Sequence, residues 1–375
     1  MKTWTDIARA TNAQVLEWAE AQAWARDMAG CNQDVQWHAE GDVWTHTRMV
    51  CAEVERLSDW PSLDRAAQLK LLFTALFHDA GKPATTVLDP GSGRTRSPKH
   101  ALVGAEIARR MLREIECDVA TREQICALVR FHGRPPYLLE KENPEREVIS
   151  LSWLVNNRLL YLFALADTRG RRANEMSRPE EILHLWKLVA EERDCFVRPY
   201  VFANDHARFL FYRDQLSSLH YTPHEEYRCT VTLMSGLPGA GKDTWLAQAR
   251  PGQAVVSLDA IREELDADGT DNQGEVIQAA REHCRGHLRA GRDFCFNATN
   301  VTRQMRQRWI DLFADYNARV EIVYLEPPMR TVLEQNKRRT NPVPESVIHR
   351  LVEKLEPPTI TEAHELAYID SIHDH

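Results

Sequence analysis

The feature that most constrains the fold is a strand pattern that runs directly into a glycine-rich loop and then into a helical pattern. The strand is predicted over residues 229–234, and the loop covers residues 236–244. Glycines let backbone N–H groups surround a phosphate, the helix start favours the anion, and a lysine reaches the transferred oxygens. The pattern therefore predicts an α/β domain with a parallel sheet that binds an NTP. The residues expected to contact the nucleotide are Gly236, Gly239, Ala240, Gly241, Lys242, Asp243 and Thr244.

One residue of this loop departs from the usual pattern. Asp243 stands where Ser or Thr normally binds Mg²⁺. Either Thr244 takes part in metal binding, or Asp243 holds the metal through water. The sequence leaves both arrangements open, and the expected cofactor is ATP or another NTP with Mg²⁺.

Residues 255–259, 294–296 and 320–325 predict three further strands of the same domain. Asp259 ends the first of these, on the side where parallel sheets bind their ligands. We expect Asp259 to deprotonate an acceptor hydroxyl and Arg262 to pair with a neighbouring phosphate. A structural cap of the strand end is the alternative reading of Asp259. Residues 335–344 join two helical patterns, and their three cations suit a lid over the phosphates.

The N-terminal half is organised around an apolar run, residues 72–77, that ends in His78-Asp79 and a Gly-Lys-Pro break. Helices are predicted over residues 1–30, 63–77, 101–116 and 150–166. A His-Asp pair alone is a weak signal, since the chain has a second one at its C-terminal end. Further histidines and a carboxylate at predicted helix ends make metal binding the better explanation. The predicted metal ligands are His46, His78, Asp79, His100, His132 and Asp167.

Six such ligands can hold two divalent cations, which lower the pKa of bound water and stabilise phosphoryl oxygens in phosphoester hydrolysis. We expect transition metals such as Mn²⁺, Fe²⁺, Co²⁺ or Ni²⁺. Lys82 follows the doublet closely and is placed to neutralise a substrate phosphate.

Composition limits the other function classes. The apolar runs of this 375-residue chain are too short to cross a bilayer, and its N-terminus lacks a signal-peptide pattern. Eight scattered cysteines without a C-x-x-C pair favour a reduced cytoplasm. A formal net charge of −8 argues against a protein that coats nucleic acid, although arginine clusters allow a local site for a strand end.

Three segments are predicted from these patterns: a helical metal-dependent domain over residues 1–170, a helical connector over residues 171–225, and the α/β domain over residues 226–375. The connector carries aromatic residues that could stack on bases, but packing is the more common use of such residues.

The N-terminal motifs resemble a known family. His46, His78-Asp79 and Asp167 are similar to the HD phosphohydrolase superfamily, with His100 and His132 matching its two-metal variants. Residues 37–47, residues 78–83 and His100-x-x-x-Gly104-Ala105 resemble the HD domain attached to bacterial CCA-adding tRNA nucleotidyltransferases. The resemblance implies hydrolysis of 2′,3′-cyclic phosphate and 2′-phosphate at RNA ends. Since the sequence begins at the HD-like unit, a CCA-adding enzyme is not expected.

The C-terminal motifs resemble P-loop polynucleotide kinases: Gly-x-Pro-Gly-x-Gly-Lys at 236–242, Asp259-x-x-Arg262, Thr299-Asn300 and Lys337-Arg338. The resemblance implies that Lys242 binds the phosphates, Asp259 is the general base on a 5′-OH, Arg262 binds the acceptor phosphate and Arg338 is the lid arginine. Many relatives have Asp where Asn297 stands. The order of the two domains is similar to bacterial bifunctional HD-domain polynucleotide kinases.

The sequence thus favours a bifunctional enzyme that heals RNA or DNA ends, with an RNA ligase as a plausible partner. A small-molecule, nucleoside-type kinase fused to a nucleotide phosphohydrolase is the alternative. An RNA-end sensor without turnover is a third reading, which the complete set of reactive groups disfavours.

Overall fold

The computed structural model describes residues 3–34, 39–91, 93–172, 180–266 and 273–370. The chain forms two compact units, residues 1–201 and residues 202–375. Trp37 and His38 of the N-terminal motif and the C-terminal His373-Asp374 pair lie outside the described residues.

The first unit is helical. Its helices are α1 (Trp4–Arg9), α2 (Asn12–Glu20), α3 (Ala23–Ala29), α4 (Val43–Arg56), α5 (Arg65–Phe77), α6 (Lys82–Thr85), α7 (His100–Glu114), α8 (Val119–Phe131), α9 (Pro144–Ser152), α10 (Asn157–Arg169) and α11 (Glu180–Glu192). Short 3-10 helices cover Trp60–Ser62 and Pro135–Glu140, and a small antiparallel pair joins β1 (Val87–Leu88) to β2 (Thr95–Arg96).

Helix α5 is the centre of this unit. Every residue from Leu71 to Phe77 is buried, and α4, α7, α8 and α10 pack around the helix. Trp4 meets Phe73 edge to face at 5.2 Å between ring centroids, and Trp24 lies 4.6 Å from Phe77. The second half of α5, residues 71–77, is apolar on nearly all sides and therefore needs such enclosure. The core therefore fixes the C-terminal end of α5, where His78 and Asp79 lie.

The helix predicted over residues 150–166 is two helices, α9 and α10, with a bend of 111°. Polar groups cause the break. Asn156 caps α10 by accepting a hydrogen bond from Leu159 N, and Asn157 Nδ2 donates to the carbonyls of Val148 and Cys195. Among the described residues no single helix is long and apolar enough to span a membrane; α9 and α10 meet that test only as a bent pair. Likewise, the helical pattern over residues 1–30 is divided into α1, α2 and α3.

The second unit contains a five-stranded parallel sheet. Its strands are β3 (Cys229–Gly236), β4 (Ala254–Ser257), β5 (Phe294–Asn297), β6 (Ala318–Leu325) and β7 (Glu365–Ile369). Its helices are α12 (Asp205–Tyr212), α13 (Lys242–Ala249), α14 (Leu258–Glu264), α15 (Gln273–Arg289), α16 (Arg303–Asp315), α17 (Met329–Lys337) and α18 (Glu345–Glu353), with a 3-10 turn at Ile360–Glu362. The strand order is β4-β5-β3-β6-β7.

The strand order places the glycine-rich loop at the middle of the sheet. β3 pairs with β5 on one side and with β6 on the other. Strands β4 and β5 lie on one side of β3, and the later strands β6 and β7 lie on the other. Open α/β sheets bind their ligands where the strand order reverses in this way, which here is the crevice at the carboxyl end of β3. The predicted fold class, a helical domain followed by an α/β domain with a parallel sheet, is confirmed.

The predicted connector is divided between the two units. Helix α11 buries Leu183, Trp186 and Ala190 in the first unit, in contact with α10, whereas α12 belongs to the second unit. The boundary between the units lies between Val201 and Phe202. Amphipathic helices bury their apolar faces against the nearest core, which explains this division.

Gly81 lets two structural elements approach closely near the predicted metal ligands. A Cβ on Gly81 would lie 2.2 Å from the carbonyl oxygen of His100. We expect Gly81→Ala to lower the free energy of unfolding of the first unit by about 1–3 kcal/mol, because the start of α7 must move away. Gly133→Ala is the matched control, since a Cβ there has no atom within 4 Å. Thermal unfolding of both variants tests this, and equal losses would contradict it.

Candidate active sites

Five helices of the first unit bring the six predicted metal ligands together. His46 lies in the first turn of α4, which Asp42 caps by accepting a hydrogen bond from Thr45 N at 2.9 Å. The other ligands also lie at or next to helix ends: His78 is the C-cap of α5 and Asp79 follows it, His100 begins α7, His132 is the C-cap of α8, and Asp167 lies in the last turn of α10.

The six side chains form two groups of three. In each group the ligand atoms lie within 4.8 Å of one another: His46, His78 and Asp167 in the first group, and Asp79, His100 and His132 in the second. Asp79 joins the groups, because its Oδ2 lies 3.2 Å from His78 Nε2 and 3.8 Å from His46 Nε2, while its Oδ1 lies 3.5 Å from His100 Nε2. A carboxylate in this position can be shared by two cations.

The four imidazoles are oriented by acceptors at Nδ1. His78, His100 and His132 each place Nδ1 2.8 Å from a backbone carbonyl three residues earlier. His46 Nδ1 instead lies 2.9 Å from a carboxylate oxygen of Glu40, which is buried. An occupied Nδ1 fixes the tautomer and turns Nε2 toward a metal.

The ring of His78 supplies a test of whether these residues fit metal ions. Its Nε2 is buried and makes no hydrogen bond within the described part of the chain, although Asp79 Oδ2 lies 3.2 Å away. A buried nitrogen without a hydrogen bond is costly unless another group, such as a cation, uses its lone pair. Imidazole nitrogens together with carboxylate oxygens are the ligands that borderline divalent cations prefer. The residues therefore fit divalent metal.

The charges of the cluster favour the ligand forms of its side chains. Burial opposes ionisation of Asp79, but His78 and Lys82 hold its pKa well below the usual value. Burial opposes ionisation of Asp167 too, and there Arg171 and His46 lower the pKa. Burial and the neighbouring His100 lower the pKa of His132 to about 3, so this imidazole is neutral at physiological pH. Metal ligands must be deprotonated in this way.

The pKa of His46 is raised, whereas the pKa of His132 is lowered. Burial acts to lower the pKa of His46, but hydrogen bonds to Asp167 and Glu40 outweigh burial and raise it. Asp167 Oδ1 lies 3.1 Å from His46 Nε2. In the absence of a cation, a proton on His46 thus stabilises the two carboxylates beside it.

Three residues that contribute to this site were not predicted from the sequence: Gln33, Glu40 and Arg171. Lys82 lies at the site as expected, but its Nζ is already 2.7 Å from Asp79 Oδ2 and donates to Gln33 Oε1 at 2.6 Å. Arg171 Nη2 lies 3.3 Å from Asp167 Oδ2, and Glu40 supports His46. Arg171 lies beyond the C-cap of α10, and its place in the arginine cluster at residues 169–172, directly after Asp167, is a signal that could have identified it.

The glycine-rich loop of the second unit has the geometry of a phosphate-binding loop. Gly236 and Gly239 have positive φ values of 149° and 79°, and a Cβ on either would lie 2.6 Å from a carbonyl oxygen. Lys242 is buried at the start of α13, and its Nζ donates to the carbonyls of Gly236 and Leu237 at 3.0 and 2.9 Å. Burial lowers the pKa of Lys242 to about 8.

On the side of the loop where Mg²⁺ is expected to bind, the side chains of Asp243 and Asn297 are in direct contact. Asn297 Nδ2 donates to Asp243 Oδ1 at 2.6 Å, and the side chain of Thr244 is exposed. Asn297 is the last residue of β5, next to β3 in the sheet. Asp243 therefore faces the position where related loops are expected to carry a strand-end carboxylate.

Asp259 lies in the first turn of α14 and not at the end of β4, because the strand stops at Ser257, whose hydroxyl caps the helix. Its Oδ1 is 2.5 Å from Arg262 Nη1, and its Oδ2 is 3.2 Å from Arg339 Nη2. Arg338, the predicted lid arginine, is exposed. The arginine that reaches Asp259 from the segment after α17 is therefore Arg339.

Thr299 and Asn300 support the loop through backbone contacts. Gly236 N donates to the carbonyl of Thr299 at 2.8 Å. Asn300 Nδ2 donates to the carbonyl of Met234 at 2.8 Å, and Ser235 Oγ donates to the carbonyl of Asn300 at 2.9 Å. These residues tie the end of β5 to the strand that carries the loop.

Two family models match the chain. Residues 43–184 match the HD domain, and residues 231–358 match an AAA domain. The first match contains all six predicted metal ligands, and the second contains the glycine-rich loop, Asp259 and Arg339.

Curated relatives match the chain over part of its length. A CC-adding tRNA nucleotidyltransferase of Thermus thermophilus is 39% identical over 150 residues, which are 37% of this chain and 32% of that protein. An A-adding tRNA nucleotidyltransferase of Deinococcus radiodurans is 38% identical over 66 residues, 18% of this chain and 15% of that protein. A multifunctional CCA protein of Halorhodospira halophila is 32% identical over 111 residues, 30% of this chain and 24% of that protein. The chain thus spans at most about a third of each relative named here.

Solved structures overlap the chain weakly. A candidate kinase from Chloroflexus aurantiacus has a TM-score of 0.33 at 15% identity, covering 38% of this chain and 86% of its own. A sugar kinase from Janibacter has a TM-score of 0.30 at 18% identity, covering 38% of this chain and 85% of its own.

The family matches and the observed fold confirm the order of the two domain types that the motifs predicted. An HD domain, homologous to part of tRNA nucleotidyltransferases, precedes a P-loop domain whose five-stranded parallel sheet is consistent with a kinase fold. This order fits the architecture of HD-domain polynucleotide kinases. An HD domain implies divalent metal, and a kinase-like domain implies an NTP with Mg²⁺.

The shared position of Asp79 leads to a prediction about metal content. We expect that the protein, after removal of metal and reloading with Mn²⁺, binds about two Mn²⁺ ions per chain. The Mn²⁺ content is measured by inductively coupled plasma mass spectrometry. Asp79→Asn is expected to lower the occupancy of both positions, because Asp79 contacts both groups. His132→Ala is expected to leave about one ion.

The control is His220→Ala, which changes an exposed imidazole of the second unit. Equal Mn²⁺ content in the wild type, Asp79→Asn and His132→Ala would contradict a two-metal site.

Proposed function

We propose that this chain is a bifunctional enzyme that heals the ends of nucleic acids. The HD domain hydrolyses 2′,3′-cyclic phosphate or 2′-phosphate ends with two divalent cations. The P-loop domain transfers the γ-phosphoryl group of an NTP to a 5′-OH end with Mg²⁺. One water opens the cyclic phosphate to a 2′-phosphate, and a second water releases inorganic phosphate from it. The combined products are therefore a terminal diol and a 5′-phosphate, which are the ends that a ligase joins.

The observation that carries the proposal is the exposed acceptor side of the phosphate-binding site. The side chain of Asp259, beside which an acceptor hydroxyl would bind, is 66% exposed. Sites for small molecules usually bury most of their ligand, whereas the end of a polymer must reach its site with the rest of the strand attached. The tRNA nucleotidyltransferases to which the HD domain is similar add support for RNA as the substrate of the first site.

In the HD domain, the six clustered side chains hold the cations, which supply Lewis-acid chemistry at a phosphoryl group. Lys82 has three N–H donors and uses two of them on Asp79 and Gln33, so one donor can bind a substrate phosphate. Arg171 keeps Asp167 ionised. Its guanidinium adds a second positively charged side chain, besides Lys82, at the edge of the site. The chain's own residues thus bind the phosphate and orient it in the cluster.

In the P-loop domain, Lys242 binds the phosphates of the NTP, and Asp259 accepts the proton of the 5′-OH. The 5′ oxygen forms a bond to the γ-phosphorus as the bond from that phosphorus to the leaving NDP oxygen breaks. Arg262, at 2.5 Å, orients Asp259 and can contact the acceptor phosphate. Arg339 also lies beside Asp259, where it can move to the transferred phosphate as the lid closes.

The kinase proposal predicts a large effect at Asp259. We expect Asp259→Asn to lower the rate of phosphate transfer from radiolabelled ATP to a 5′-OH oligoribonucleotide by about 10²-fold or more, because a general base is lost. Asp315→Asn changes an exposed carboxylate of α16 and should keep the wild-type rate. Faster labelling of a free nucleoside than of the oligonucleotide would support a small-molecule kinase and contradict the proposal.

The two activities are predicted to be separable. Asp167→Asn should abolish release of phosphate from an RNA with a 2′,3′-cyclic phosphate end, since it removes a charged ligand from the first group, and should leave 5′ phosphorylation near the wild-type level. Lys242→Ala should have the reverse effect. Loss of both activities in a folded Asp167→Asn variant, or of neither, would contradict two independent sites.

A further inference from the structure

The metal side of the phosphate-binding loop differs from the usual arrangement at two positions. In P-loop enzymes Mg²⁺ is held by the hydroxyl of the residue after the loop lysine and by a strand-end Asp. In this chain the residue after Lys242 is Asp243, and the end of β5 carries Asn297. A carboxylate therefore replaces the hydroxyl, and a neutral amide stands at a neighbouring strand end.

These two residues touch. Asn297 Nδ2 donates to Asp243 Oδ1 at 2.6 Å. The pair carries one negative charge, the same as a hydroxyl paired with a strand-end carboxylate, but the charge lies on the loop helix and not on the strand. Two carboxylates at this distance would repel each other strongly, so the amide at 297 is the natural companion of a carboxylate at 243.

The surroundings of Asp243 suit a carboxylate, and those of Asn297 suit a neutral amide. Asp243 lies in the first turn of α13, where the helix dipole favours a negative charge, and its side chain is exposed to an incoming ion. Asn297 is 94% buried, its relative exposure being 6%, and its Oδ1 makes no hydrogen bond in the described part of the chain. A buried amide oxygen without a donor is costly unless water or a cation contacts it.

We propose that Asp243 supplies the protein carboxylate for the Mg²⁺ of the bound NTP and that Asn297 is its positioning residue. One carboxylate is enough, because Mg²⁺ in nucleotide sites keeps several waters and takes its other ligands from phosphates. The inference deepens the proposed kinase function and rests on it. It assigns the role that the sequence left open between Asp243 and Thr244.

The test measures the affinity for ATP by calorimetry, with Mg²⁺ and with excess EDTA, so its readout is binding and not turnover. Asp243→Thr restores the usual hydroxyl but leaves no carboxylate in the pair. The double variant Asp243→Thr/Asn297→Asp restores both usual residues and moves the charge back to the strand end. Asp315→Asn serves as the control for loss of a carboxylate elsewhere in the second unit.

We expect Asp243→Thr to reduce the Mg²⁺-dependent gain in ATP affinity by about tenfold or more, with little change in EDTA. The double variant should recover most of that gain. A Mg²⁺-dependent gain in Asp243→Thr equal to that of the wild type, or a folded double variant no better than Asp243→Thr, would overturn the inference while leaving the kinase function standing. A wild-type chain that binds none of ATP, GTP, CTP and UTP, with or without Mg²⁺, would refute both.

Discussion

The first unit depends on compensation of the charge of Asp79, a carboxylate that is almost fully buried. An ionised group in an apolar interior is stable only when opposite charges and hydrogen-bond donors surround it. Asp79 has an ammonium group at 2.7 Å from Lys82 and imidazoles on either side. The apolar enclosure of α5 therefore does more than stabilise the fold, since it holds this carboxylate between two groups of ligands.

Much of both sites could be predicted because their chemistry is local in the sequence. The loop that ends in Lys242 needs residues close to one another, and its glycines are required by positive φ and close backbone contacts. The doublet His78-Asp79 marks the end of an apolar helix whatever the rest of the chain does. The distant ligands were predicted because histidines and carboxylates at helix ends are recognisable in number, although their distances could not be inferred.

The remaining features depend on contacts between residues far apart in the chain. Gln33 and Glu40 reach the cluster from a segment without a regular pattern, so no periodicity marks them. Strand β7 was missed because its apolar run, residues 366–369, is short and only half-buried, and because it is an edge strand that is defined by pairing with β6. Similarly, nothing local distinguishes Arg338 from Arg339, and only the folded segment after α17 shows which one meets Asp259.

The metal ligands of the first unit come from α4, α5, α7, α8 and α10. The stability of this unit therefore depends on the concentration of free metal ions around the protein. Cations held by these ligands would cross-link five helices, and each tenfold rise in free cation above the dissociation constant adds about 1.4 kcal/mol to the folded state per ion. Under chelation the unit would open more often and become more accessible to proteases. Scarcity of transition metal would then reduce the amount of this protein in a cell, and not simply its rate of turnover.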